Sequence, residues 1–221
     1  MKKIVILFLL VTSCAAPNFD KRVNYIYELN NFEFSEFVYQ NSFAIYSLQK
    51  INNNQEVIVY IEGDGLSWID RFTPSSDPTP KNPLAFKLAK LDQNQNVIYL
   101  ARPCQYVQNN RCQKEIWTKL QYSNEVMSNY IEILKEVKNK NPKIHLVGYS
   151  GGSVIAMYLA SIKELNIKSV RTIAGNIKPN EFTQLLNISP YRTSLNLNDI
   201  EKNIQFVSQS HFYGAKDKVI P

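Results

Sequence analysis

A chain of 221 residues, 44% apolar and 20% charged, is long enough to bury one substantial core and too apolar to stay disordered. Its 25 basic and 19 acidic side chains leave a formal charge of +6, spread along the chain without a basic stripe. That distribution excludes nucleic acid as the expected partner.

The first residues, Met1-Lys2-Lys3 followed by Ile4 to Leu10, carry the charged start and short apolar stretch of an export signal and are set aside from the fold. The apolar run falls short of the roughly 20 residues that span a bilayer. It ends in Val11-Thr12-Ser13-Cys14-Ala15, which resembles a bacterial lipobox. The resemblance implies that residues 1–14 form a lipoprotein signal with Cys14 as the acylated residue. The mature protein would then be anchored in the cell envelope, with Ala15 suiting an outer membrane and a periplasmic face. Two or more acyl chains are enough for stable attachment. The alternative is an ordinary signal peptide cut near Ala15-Ala16.

Beyond a Tyr- and Phe-rich lead-in, Phe43 to Leu48 alternates like a strand, and Glu56 to Ile61 is a β-branched run typical of a buried parallel strand. Leu84 to Leu91 reads as a short amphipathic helix and Val97 to Leu100 as another buried strand. Glu115 to Lys138 repeats its apolar residues at helical spacing and stops before Asn141-Pro142, predicting one long helix. Lys143 to Gly148 is the next strand and Ser153 to Leu165 a largely buried helix. Val170 to Ala174 and Ile204 to Ser208 complete the strands, with a short helix at Glu181 to Leu186. Alternation of strand and helix predicts a three-layer α/β sandwich around a mostly parallel sheet, in a single domain over residues 23–221.

All seven glycines fall just past the carboxyl ends of predicted strands: Gly63 and Gly65, then Gly148, Gly151 and Gly152, then Gly175, then Gly214. Ligands of open α/β sheets bind at that rim. The proline-rich stretch Phe72 to Pro83 reads as a stiff loop over it, either walling a pocket or simply crossing to the next helix. Trp68, Trp117 and Tyr149 are candidates to line the site or to pack beside the sheet. Cys104 and Cys112 form a close pair for which a disulfide is the favoured reading in an exported chain, metal binding being the rival.

The segment Gly148-Tyr149-Ser150-Gly151-Gly152 reads G-x-S-x-G between a strand and a helix, the setting in which a serine is exposed on a strained turn as a nucleophile. Glu62-Gly63-Asp64-Gly65 follows the strand ending at Ile61. It resembles a His-Gly-x-Gly oxyanion loop with Glu62 where histidine commonly stands; the alternative is a plain β-to-α turn. It lacks the third glycine of a dinucleotide fingerprint, and no cofactor or metal is expected. Gly214-Ala215-Lys216-Asp217-Lys218-Val219-Ile220-Pro221 resembles the G-x-x-D-x-V-x-P acid loop.

In order and together, these three motifs resemble the α/β-hydrolase superfamily over roughly Glu56 to Pro221. The resemblance implies a serine hydrolase acting on an ester or thioester. Ser150 would be the nucleophile, Asp217 the triad acid, and the backbone N–H groups of Gly151 and Asp64 the oxyanion donors. The family places its catalytic histidine after the acid, whereas His145 and His211 both precede Asp217. The expectation is therefore a domain lacking its last strand, histidine loop and helix, with His211 the remaining candidate base and His145 a sheet residue. A decayed gene, a complementing C-terminal polypeptide and a shortened product with a binding role each account for that pattern. The alternative function is a non-catalytic, lipid-anchored envelope protein that binds an acyl or peptide ligand.

Overall fold

The computed structural model describes residues 19–53, 55–140, 143–192 and 197–217. Cys14 and the leader lie outside the described residues, as do Lys218 to Pro221 of the acid loop. The chain opens with helix α1 (Phe19–Asn30), a hairpin of β1 (Ser35–Gln40) and β2 (Ala44–Ile51), and β3 (Glu56–Ile61). Then come α2 (Leu84–Leu91), β4 (Asn96–Leu100), α3 (Lys114–Trp117), α4 (Asn124–Lys140), β5 (Lys143–Tyr149) and α5 (Gly152–Ser161). A 3-10 turn (Lys163–Leu165), β6 (Ile167–Ile173), α6 (Pro179–Leu185), α7 (Leu197–Ile204) and β7 (Ser208–Phe212) complete it.

The seven strands form one sheet in the order β1-β2-β4-β3-β5-β6-β7. The first two pairings are antiparallel and the remaining four parallel. Alternation along β3 explains the layering. Val57, Val59 and Ile61 face α4 and α5, meeting Tyr130, Ile133, Leu134, Ile155 and Leu159. Ile58 and Tyr60 face the other way, onto a cluster that contains Phe86 and Ala89 of α2 and Ile26 of α1. Both faces are covered, which is why the central strands are apolar without interruption.

The lead-in, to which the sequence assigned no element, is a helix followed by an edge strand. Three expectations are corrected. The long helix is two helices: Trp117 donates its indole N–H to Ser75 O (3.2 Å), the chain turns, and Ser123 caps α4 through its hydroxyl and the Val126 N–H (3.4 Å). The interruption turns Gln121 and the fully buried Tyr122 toward the sheet rim. Ile204 closes α7, where Ile200 and Ile204 share a buried face, and the last strand runs instead over Ser208–Phe212. The predicted 153–165 helix ends at Ser161, before the 3-10 turn. Cys104 and Cys112 are joined by a disulfide, with Cα atoms 5.6 Å apart.

Candidate active site

Ser150 sits between the last residue of β5 and the start of α5 with φ +49°, a left-handed conformation that costs a side-chain-bearing residue about 1–2 kcal/mol. Its neighbours hold it there. Ser150 N–H donates to Ile173 O of β6 (2.9 Å), and Ser150 O accepts from Ser153 N–H (2.9 Å). Helix and strand meet so closely that a methyl on Gly148 would lie 2.5 Å from Ser153 Cα. The sequence forms this elbow because an apolar strand, a glycine and a buried helix follow one another with no residues to spare.

The loop after β3 faces the elbow. A methyl on Gly63 would lie 3.1 Å from Ser150 Cβ, and one on Gly151 would overlap the Asp64 carboxylate. Gly151 and Gly152 open α5, whose first-turn N–H groups have no acceptor within the helix and favour negative charge. Asp64 is pinned on both sides. Its Oδ1 accepts from Arg102 Nη1 (2.9 Å) and its carbonyl from Ser67 Oγ (2.7 Å). Arg102 is only 4% exposed; its Nη2 donates to Gln121 O (3.0 Å), and its guanidinium lies over the Tyr122 ring at 5.4 Å. Gln105, fully buried, donates to Gly63 O (3.1 Å) and accepts from Arg102 N–H (3.0 Å). The disulfide-closed segment after β4 thus clamps the loop after β3.

Glu62 stands behind that loop, 1% exposed. Its carboxylate accepts from Gly63 N–H (2.9 Å), Ala85 N–H (3.4 Å) and Tyr99 Oη (3.2 Å). Burial outweighs these bonds and pushes its pKa up to about 7. A cleft of about 290 Å3 is lined by Glu62, Asp64, Lys81, Asn82, Tyr149 and Ser150, so the proline-rich loop does wall it. Trp117 is buried, whereas Trp68 is partly exposed in a bridge to Pro74.

Asp217 lies in the turn after β7, its N–H bonded to Gly214 O (2.9 Å). It is near enough to Tyr149 that its charge, after burial and after Glu62, helps hold that phenol above its usual pKa. Ser150, Gly151, Asp64 and Asp217 therefore share one rim of the sheet. The histidines do not join them. His145 lies five residues before Ser150 on β5, about 16 Å along an extended strand. It bonds Ser169 Oγ through Nδ1 (2.7 Å), and its pKa is lowered chiefly by burial. His211 is on the edge strand β7 with Nδ1 2.8 Å from Thr172 Oγ1. Among the described residues neither histidine is hydrogen-bonded to Ser150, and no three His, Cys, Asp or Glu side chains converge on a metal position. Sequence reasoning missed Arg102, Gln105 and Glu62 as the loop's supports. A charged residue two positions past the apolar strand β4, Arg102 after Ala101, was the available signal.

The sheet order, the strand-to-helix elbow and the layers define an α/β-hydrolase-like fold. Two solved structures share it: Est1E from Butyrivibrio proteoclasticus, with TM-score 0.57 and 10% identity over 84% of this chain and 80% of that one, and a lipase/esterase from Lactobacillus plantarum, with TM-score 0.50 and 9% identity over 85% and 82%. No protein-family model matches the sequence. No curated protein matches it either.

Proposed function

We propose that the protein is a serine hydrolase of esters or thioesters that works through an acyl-enzyme, with Ser150 as nucleophile. The observation that carries this reading is the left-handed Ser150 at a strand-to-helix turn, facing the Gly63-Asp64-Gly65 loop across its own cleft. Ser150 Oγ attacks the carbonyl carbon while the N–H groups of Gly151 and Asp64 receive the developing oxyanion. The alcohol or thiol departs and water releases the acid. Arg102 neutralises the Asp64 carboxylate, which would otherwise oppose the oxyanion beside it. That one of the solved structures with this fold is named a lipase/esterase is in keeping with this chemistry.

The proton leaving Ser150 needs an acceptor, and in this arrangement Asp217 would orient a histidine. Among the described residues His211 serves as that histidine only by leaving Thr172. The second reading, a lipid-anchored envelope protein that binds an acyl or peptide ligand without turnover, is favoured by one observation: both histidines are bonded elsewhere. Acylation of Cys14 and placement in the envelope belong to either reading; mass spectrometry of the membrane-extracted protein tests them, expecting a diacylglycerol adduct on Cys14. Covalent labelling by a fluorophosphonate tests the nucleophile: label on Ser150 supports it, and label that survives Ser150→Ala refutes it.

A further inference from the structure

Two exposed apolar segments meet at the rim of the sheet. Residues 67–75 form a small hairpin in which Ser75 N–H donates to Ser67 O (3.0 Å), Trp68 pairs with Pro74, and Ile69 N–H donates to Thr73 O (2.9 Å). Its tip carries Ile69, 64% exposed, and Phe72, 83% exposed, with Trp68 partly exposed at its side. Arg71 Nη2 donates to Asn187 O (2.6 Å), which sets the tip beside Leu185, Leu186 and Ile188, also exposed, at the end of α6. The hairpin is held firmly at both ends. Asp70 Oδ1 accepts from the N–H groups of Phe72 and Thr73 (2.8 Å each), while at the base Trp117 donates to Ser75 O and Ser67 Oγ to Asp64 O. A contiguous apolar patch on a preformed support marks an interaction surface.

The place where the chain enters the fold points to what covers the patch. Arg22, in the first turn of α1, pairs with Asp77 (3.1 Å), and Asp77 N–H donates to Ser75 Oγ (3.1 Å) at the base of the hairpin. The other end of α1 lies away from the rim, where Leu29 O accepts from Lys90 at the end of α2 (2.6 Å). Cys14 stands five residues before Phe19, so the chain between them reaches at most about 18 Å. An acyl anchor on Cys14 therefore brings the hairpin end of the molecule to the bilayer. The chemistry of the tip suits that surface. Its N–H groups at Ile69, Phe72 and Thr73 are bonded within the hairpin and can leave water without being orphaned. A tryptophan and an arginine, Arg71 lying 5.8 Å over the Phe72 ring, suit the headgroup layer; Asp70 and Arg71 between the apolar side chains limit the depth to that layer.

We propose that the hairpin tip and the end of α6 dock on a phospholipid surface, with Trp68, Ile69 and Phe72 entering the boundary between headgroups and acyl chains and Arg71 among the phosphates. The tether rests on the reading of Cys14 as acylated; the affinity of the hairpin for lipid does not, and the two are measured apart. Leu66, next to the hairpin, lines the Ser150 cleft, so docking sets that cleft at the lipid-facing end of the sheet.

The test is binding of residues 15–221, which hold every described element of the fold and no acyl group, to vesicles of phosphatidylethanolamine and phosphatidylglycerol with brominated acyl chains. Trp117 is 6% exposed, so quenching by bromine reports Trp68. The expected result is quenching on binding and a loss of about ten-fold in partitioning for Phe72→Asp. Phe32→Asp, which removes a 99% exposed ring just past the far end of α1, should leave binding unchanged. Both positions are exposed, so neither variant threatens the core. Absence of binding, binding without quenching, equal binding by Phe72→Asp, or a comparable loss in Phe32→Asp overturns the proposal. Self-association abolished by Phe72→Asp, without lipid binding, overturns it in favour of a second copy of the chain. Mass spectrometry of Cys14 is scored separately: Phe72-dependent quenching with an unmodified Cys14 keeps the docking surface and removes the tether, and an acylated Cys14 without such quenching does the reverse.

Discussion

Single side chains at the rim hold opposed charges and strained backbone at close quarters. Ser150 keeps φ +49° only because its surroundings impose it. Ser150→Gly is therefore expected to raise stability by about 1 kcal/mol while removing the proposed nucleophile, which urea denaturation beside ester hydrolysis will show. Arg102 is buried against Asp64, so Arg102→Met leaves a carboxylate unpaired beside Gly151 and is expected to destabilise the fold by about 3 kcal/mol. Asp64→Asn in the same chain should recover much of that loss, a result that plain loss of packing would not give. Glu62 titrates near 7 in the fold against an ordinary value of 4.5. A raised folded pKa means the fold binds this proton more tightly than the unfolded chain does. The stability it contributes is full below pH 4.5 and is lost as pH rises through about 7, with a ceiling of about 3 kcal/mol. Glu62→Gln keeps an acceptor oxygen and cannot ionise, so its stability measured by urea unfolding should be flatter across that window.

At the scale of elements, the segment from Arg102 to Cys112 works as a brace. Cys104 and Tyr106 adopt left-handed backbone, φ +70° and +62°, between Arg102, which holds Asp64, and the second cysteine. Gln105 reaches both Gly63 O and Pro78 O. The disulfide closes a short loop and contributes about 2–3 kcal/mol by restricting the unfolded chain. Reduction should lower the thermal midpoint and, because the brace touches the Gly63-Asp64-Gly65 loop of the proposed site, reduce turnover below the melting range; Cys104→Ala with Cys112→Ala should reproduce both effects. The elements that were legible in sequence were those whose burial is nearly complete: Glu56 to Ile61 and Val97 to Leu100 read as strands because both of their faces are covered. Those that were misread have a tertiary reason. The apolar spacing in 115–138 continues across a break that the Trp117 and Gln121 contacts impose, and periodicity does not register contacts. Ile204 was assigned to a strand because its helical partner Ile200 stands among Asn, Asp and Glu.

For the whole molecule, the parallel sheet carries Ser150, Gly151, Asp64 and Asp217 to one end and His145 toward the other. The motifs around Ser150, Asp64 and Asp217, which carry the proposed site, were visible in the sequence because glycines mark the carboxyl ends of strands. The supports of the Gly63-Asp64-Gly65 loop were not, since they join segments far apart in the chain through single contacts. β7 lies at the sheet edge, with Phe206 before it 84% exposed and Phe212 at its end 56% exposed. An exposed edge of this kind invites pairing with another strand. The measurement that bears most directly on the central claim is hydrolysis of a short-chain p-nitrophenyl ester by the full chain beside Ser150→Ala and His211→Ala. The account predicts turnover that disappears in Ser150→Ala, with loss in His211→Ala identifying the base. Turnover that survives Ser150→Ala, or none from a folded wild-type chain, would contradict it.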